Sequence, residues 1–411
     1  MGNLRIPPVI GRRTGQSEPV GSRRVIMMHI ASPIFHRRDT ARAAGVYARR
    51  MALALGIAIA ATAPAVAADR YPGSALQPVL SSPDLVFNGI TRSQDGRLFS
   101  PFQRQTKGEG IELGEWVDGK PVPYPNAAWN AWKPGDDPAS AFVGLNAIRI
   151  GPDGDLWAVD KGSDSFGGAP LPGGPKLVRI DLATNSVRRV YPLGSGTGPK
   201  SFVDDFRFNG HRVYLTDAGA PAILVLDLDS GRVRRVLDGH PSTVAQRPLT
   251  GEGRPLVGED GGPVQVHADQ LEVSPDGQTF YYQPCTGPLY KIPTRWLDDE
   301  EASDAERAKH VSVHAEIGST GGTAIDAAGT IYASDTDGLR ILAIAPDGAV
   351  STLVRDPRLV WGDAMWIDAA GGLWIPAAQM NRAPIMNGGR SAIRFPTTIY
   401  RLEIGAKPVA N

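Results

Sequence analysis

Residues Asn146–Trp157 read NAIRIGPDGDLW: a polar residue, an apolar-x-apolar pair, a turn containing Gly, then an apolar residue and an aromatic. Apolar and polar residues alternate with period two on both sides of Pro-Asp-Gly, which predicts two strands joined by a hairpin. The phrase recurs along the chain as Asn88–Phe99 (NGITRSQDGRLF), Asp204–Tyr214 (DDFRFNGHRVY) and Asp269–Tyr281 (DQLEVSPDGQTFY). Two further copies are Gly321–Tyr332 (GGTAIDAAGTIY) and Asp363–Trp374 (DAMWIDAAGGLW). The six aromatics Phe99, Trp157, Tyr214, Tyr281, Tyr332 and Trp374 stand 58, 57, 67, 51 and 42 residues apart. A period of this size marks a repeat architecture, in which 411 residues need no second core.

Two more strand-like runs follow most copies: Lys176–Asp181 and Ser186–Pro192 in the second, Ile223–Leu237 in the third, Leu339–Val354 in the fifth. Four strands per unit and six units predict an all-β, six-bladed β-propeller. The sixth unit has one clear later strand, Thr397–Ile404, and Gln77–Ser81 is predicted to supply its fourth, closing the ring and leaving no open edge. Thr294–His310 (TRWLDDEEASDAERAKH) is predicted as one helix inserted in blade four, accounting for the 67-residue interval or part of the next.

The first 67 residues are different. They hold ten Arg and two acids, followed within the segment by the apolar run Met51–Ala61 and the small-x-small Ala65-Val66-Ala67. That is the pattern of a signal peptide cleaved near Ala67-Ala68, with the propeller over 68–411 and an extracytoplasmic destination, periplasmic or secreted. Arg49-Arg50 permits twin-arginine export, and Met28 is an alternative start. Of 43 basic and 43 acidic residues in the chain, 33 and 41 fall in 68–411, so the mature part carries about −8, which argues against nucleic acid or an anionic membrane as partner. With Cys285 as the sole cysteine, no intrachain disulfide forms.

In a propeller the first strand of each blade lines the channel and starts at the mouth where blades connect. The six copies place Asn88, Asn146, Asp204, Asp269, Gly321 and Asp363 there, five of them bearing amide or carboxylate oxygens. Crowded carboxylates repel one another and require a cation, hydrogen-bond donors or water. Asn88, Asn146, Asp204, Asp269 and Asp363 are therefore the expected ligand-binding set, and Asn146, Asp204 and Asp363 the expected oxygen donors to a divalent cation such as calcium, if one binds. The plainer alternative is that Asp and Asn cap strand starts beside a water-filled channel.

His267, two residues before Asp269, shares its face if both lie in one strand. It joins Asp204 and Asp269 as a catalytic candidate, although an exposed loop histidine is the simpler reading. Asp160, Asp217 and Asp335 each follow a blade aromatic by three residues, and their repetition favours capping of turns. Gly194–Ser201 (GSGTGPKS) lacks the strand-to-helix setting of a phosphate loop, and His310 and His314 flank an alternating Val-Ser-Val. No nucleophile elbow or zincin motif occurs.

Several phrases together resemble the bacterial branch of the major royal jelly protein/yellow family: Pro123–Trp132 (PYPNAAWNAW), Leu145–Gly162 (LNAIRIGPDGDLWAVDKG), Asp269–Leu297 and Gly321–Leu342. The resemblance spans roughly Phe87 to Ile404. It implies a secreted six-bladed propeller with a small-molecule pocket at the channel mouth; some insect members bind biogenic amines or convert dopachrome. The chain is more distantly similar to the gluconolactonase/regucalcin type, which holds a divalent metal through Glu, Asn and Asp. Asn146 and Asp204 match that set, and Asn88 stands in place of the Glu, with one negative charge fewer. Three functions follow as expectations: a binder of a small polar or aromatic molecule with tautomerase-like activity, a metal-dependent lactonase, and a protein-interaction propeller using the acidic insert and the Pro123–Trp132 loop.

Overall fold

The computed structural model describes residues 68–103 and 110–409; the predicted signal peptide lies outside them. Six four-stranded sheets form the six blades. Their innermost strands are Thr91–Arg92, Leu145–Ile150, Val203–Asn209, Ala268–Val273, Thr320–Ile325 and Trp366–Ile367. Every sheet is antiparallel and, except at the closure, runs outward in chain order. In blade six, Gln77–Ser82 pairs with Thr397–Glu403 from Gln77↔Arg401 to Ser82↔Thr397, so the N-terminal strand closes the ring as the sequence predicts.

Burial explains the repeating phrase. The inner strands Leu145–Ile150 and Leu156–Asp160 are buried along their whole length, whereas the outermost, Ser186–Pro192, is largely exposed. Adjacent blades share cores: Ala147, Trp157 and Val159 of blade two pack with Phe206, Val213 and Leu215 of blade three. In blades two, five and six the aromatic after the turn is buried while its polar edge finds a turn carboxylate. Trp157 Nε1 donates to Asp153 at 3.1 Å, Tyr332 Oη to Asp326 at 2.9 Å and Trp374 Nε1 to Asp368 at 2.8 Å.

One expectation changes and another is narrowed. The insert in blade four is helical but consists of two short helices, Thr294–Asp298 and Asp304–Ala308, lying between the third and fourth strands of that blade. The acids Asp298–Glu301 oppose the first helix's C-terminal dipole. Asp299 leaves the helical conformation and accepts from the Glu301 and Ala302 amides, and Ser303 then caps the second helix. The insert falls between Tyr281 and Tyr332, the second of the two places expected for it; the 67-residue interval instead holds the connection from Val236 to Ala268 between blades three and four, which contains a two-stranded ribbon, Thr250–Gly251 with Arg254–Pro255. This connection meets the 380–388 segment of blade six through Arg382–Glu252 at 2.7 Å, Asn381 Nδ2 to Glu252 at 2.8 Å and a parallel bridge Val257↔Asn387. Leu249, Leu256, Val264, Val266, Met380 and Met386 are buried together there as a cap. Among the described residues no helix is long and apolar enough to cross a membrane.

Candidate functional site

One backbone device is repeated in all six blades. Between the first and second strands the register slips by one residue: Leu145↔Asp160 is followed by Ala147↔Val159, Val203↔Asp217 by Phe206↔Leu215, Ala268↔Pro284 by Leu271↔Tyr282, and Thr320↔Asp335 by Thr323↔Ala333. In blades one and six the same slip separates Phe87↔Phe102 from Thr91↔Phe99 and Gly362↔Ala377 from Trp366↔Trp374. A bulge frees a residue from the ladder and re-aims its side chain. The residues freed are those of the predicted ring, and Asn88, Asn146, Asp204, Asp269, Gly321 and Asp363 all line one cavity of about 100 Å³ at the end where blades connect. They also line a narrow extension of about 20 Å³ deeper along the axis.

The ring is knit edge to edge. Asn88 Nδ2 donates to Asn146 O at 3.0 Å, and Asn146 Nδ2 donates to Asp204 O at 3.1 Å and to the Asp204 carboxylate. Asp204 and Asp269 hydrogen-bond through their carboxyls, and Asp269 also meets the buried Cys285 thiol, which donates to Thr320 O at 3.0 Å. Asp363 accepts from Ala364 N at 2.8 Å and from Trp361 Nε1 at 3.2 Å. Gly321 is required in blade five, because a Cβ there would lie 2.5 Å from Gly362 O and 3.0 Å from the Trp361 ring.

Among the described residues no ion pair reaches the three carboxylates, exposed Lys200 at the rim included. Burial, with the neighbouring acid Asp205, pushes Asp204 up to about 7. Burial and the Asp204 charge raise Asp269 well above the ordinary range, and burial raises Asp363 likewise. Two buried acceptors nearby, Asn88 Oδ1 and Gln270 Oε1, have no donor. The mouth thus holds acceptors in excess of donors. Its walls are apolar: Phe166, Phe202, Trp361, Met380 and Met386.

A second tier closes the channel beneath. Arg149 NH2 pairs with Asp205 at 2.9 Å, Arg207 bridges Asp205 at 2.7 Å and Glu272 at 2.8 Å, and Thr323 Oγ1 donates to Glu272 at 2.8 Å. Burial opposes the charge on Asp205, but the two guanidiniums outweigh it and hold this carboxyl down at about 2.

The other candidates fall elsewhere. His267 does not line the mouth cavity. It precedes the bulged strand Ala268–Val273, whose register slip breaks the period-two argument, and its Nδ1 accepts from Ala245 N at 3.0 Å. Burial lowers its pKa, which leaves a neutral ring that ties down the cap connection. Asp160, Asp217 and Asp335 cap turns, and each also pairs with a cation: Lys176 at 2.7 Å, Arg235 at 2.8 Å and Arg340 at 2.6 Å. Gly194–Gly196 is a single 3-10 turn. His310 stacks on Trp296 with centroids 3.8 Å apart, while His314 lies on the outer strand of blade four.

Asn146, Asp204 and Asp363 do share the mouth, but their donor set does not fit a divalent ion as arranged. Asn146 turns its amide N–H to Asp204, and Asp204 is hydrogen-bonded to the Asp269 carboxyl, whose charged form burial disfavours. A calcium ion needs several free oxygens, and among the described residues no group of three or more His, Cys, Asp or Glu is placed to hold a metal.

Sequence reasoning missed the walls and the second tier. The wall residues come from loops with no periodic signal. The second tier did leave one: Arg149, Arg207 and Glu272 each stand three residues after a ring position and sit between two apolar residues.

The family model described as "Major royal jelly protein" matches residues 143–407. No curated protein matches the chain in sequence. Among solved structures, a calcium-binding regucalcin from Agrobacterium tumefaciens is similar at 14% identity over 84% of this chain and 100% of its own, with a TM-score of 0.49. A gluconolactonase from Xanthomonas campestris is similar at 15% identity over 80% and 89%, TM-score 0.48. A virginiamycin B lyase from Staphylococcus aureus is similar at 14% identity over 73% and 80%, TM-score 0.43.

Proposed function

Because this chain belongs to the major royal jelly protein family, and its channel mouth gathers acceptors that lack donors, we propose that the mouth binds a small aromatic amine. The observation that carries this reading is the trio Asp204, Asp269 and Asp363, half-buried side by side around one cavity with no cationic partner among the described residues. An ammonium group placed among them neutralises their repulsion, and its N–H groups satisfy Asn88 Oδ1. Phe166, Phe202 and Trp361 give the ring of the ligand apolar and aromatic walls.

The coupled pair Asp204 and Asp269 supports a second step on the same ligand. With Asp204 pushed up to about 7 beside Asp269, whose pKa burial and the Asp204 charge raise, a carboxylate of the pair can take a proton from a ligand carbon while the other, in its carboxyl form, returns one at a different atom. That is a tautomerisation, balanced without a co-reactant. Export is part of the reading, and N-terminal sequencing of the mature protein should begin at Ala68 or Asp69.

Calorimetry with tyramine and with 4-ethylphenol, which has no amine, tests the binding site. Tyramine is expected to bind one to one, at least about tenfold more tightly than 4-ethylphenol, and to lose about tenfold in Asp363→Asn. Equal binding of the two probes would overturn the amine reading, and calcium binding that is lost in Asp204→Ala would favour the metal-dependent alternative.

A further inference from the structure

The larger cavity, about 480 Å³, opens at the opposite end of the channel, where the hairpins between first and second strands turn. Its interior is mostly apolar, with Ile150, Phe208, Val273, Ile325 and Trp366 as walls and Pro408 and Val409 at the rim. The C-terminal segment that carries this rim is fixed to blade five by Ala327 N to Lys407 O at 2.9 Å and the bridge Asp326↔Pro408. The cavity is therefore walled by ordered chain.

Polar groups enter it from the second tier: Arg149, Arg207 and Glu272. They are not equally satisfied. Arg207 uses Nε and NH2 on Glu272 and NH1 on Asp205 and Phe206 O. Arg149, only 7% exposed, donates to Met365 O at 3.0 Å and to Asp205 at 2.9 Å, and its Nε has no partner. A guanidinium carries five N–H groups, so Arg149 keeps donors in hand inside a buried, mainly apolar space, where an unmade charged hydrogen bond is costly.

We propose that this end of the channel is a second small-molecule site, which takes a largely apolar monocarboxylate with its carboxylate on Arg149 and its body against Trp366 and Ile325. The direction of charge agrees with the geometry. Burial and the neighbouring Arg207 charge both lower the pKa of Arg149, so its positive charge is under-compensated and an added carboxylate would relieve it. The two cavities lie on opposite sides of the Arg149–Asp205–Arg207–Glu272 tier, so this site does not depend on what the mouth binds.

Phenylacetate, with 2-phenylethanol as its uncharged counterpart, is the probe pair, read by calorimetry on the purified protein. Phenylacetate is expected to bind one to one and at least about tenfold more tightly than the alcohol. Two variants localise it. Val409→Glu places a like charge at the partly exposed rim, outside any core, and is expected to weaken phenylacetate about tenfold while leaving the alcohol unchanged. Arg149→Lys keeps the charge and loses the fork, with a similar loss. If Arg149→Lys fails to fold, Val409→Glu still decides the matter. No phenylacetate binding, equal affinity for the alcohol, or undiminished binding in Val409→Glu would overturn the proposal.

Discussion

At the end where blades connect, the inner strands present three carboxylates that lack a cation among the described residues, together with two acceptors that lack donors, Asn88 Oδ1 and Gln270 Oε1. Three residues further along the same strands, at the hairpin end, Arg149 presents donors that lack acceptors. The contrast is sharpest within one dipeptide. Burial, with the Asp205 charge beside it, pushes Asp204 up to about 7, whereas its neighbour Asp205 is held at about 2 because it faces two guanidiniums that outweigh its own burial. Chain neighbours thus take opposite protonation behaviour from their surroundings. A propeller can carry different chemistry at its two ends without any change to the blades that form its walls.

The largest effect should come from breaking the paired tier. Arg207→Met strips Glu272 of its ion pair and leaves Asp205 with Arg149 alone, which should cost about 3 to 5 kcal/mol of stability in urea unfolding. A loss below about 1 kcal/mol would mean that this tier is hydrated rather than buried.

The unpaired tier should behave in the opposite sense. The folded protein binds the Asp204 proton more tightly than the unfolded chain does, so the stability contributed by this group is complete below its ordinary value of 3.8 and is lost as pH rises toward about 7. Asp205, depressed to about 2, contributes stability that is present above 3.8 and lost as pH falls through about 2. Asp204→Asn should therefore flatten the decline between pH 4 and pH 7 and raise stability at pH 8 by on the order of 1 to 2 kcal/mol, with little change at pH 4. If Asp204→Asn leaves the protein less stable at pH 8 than at pH 4 by as much as the parent, Asp204 is not the origin of that slope.

Much of this molecule was legible before any coordinates. The six phrases beginning at Asn88, Asn146, Asp204, Asp269, Gly321 and Asp363 gave the blade count, and each first residue does line the mouth. Closure by Gln77–Ser81 followed from the missing strand of the sixth unit, and the observed strand, Gln77–Ser82, is one residue longer. Period two failed where it met the bulges: it put His267 on one face with Asp269, yet the slipped register separates their roles. The cap was not legible, because the loops carrying Leu256 and Met386 meet only through long-range packing and have no local period. The helix prediction over Thr294–His310 was right in type, but it underweighted the four successive acids that break it in two.

The central claim is that burial raises the pKa of the carboxyl groups at one mouth, that of Asp204 to about 7, with no cation among the described residues to offset it. Carbon-13 NMR titration of protein labelled at the aspartate side-chain carboxyls tests it directly. The expected result is a carboxyl resonance with a midpoint near 7 that disappears in Asp204→Asn, alongside another that stays ionised down to about pH 2 and disappears in Asp205→Asn. A set of aspartates that has fully ionised by about pH 5 would contradict the account.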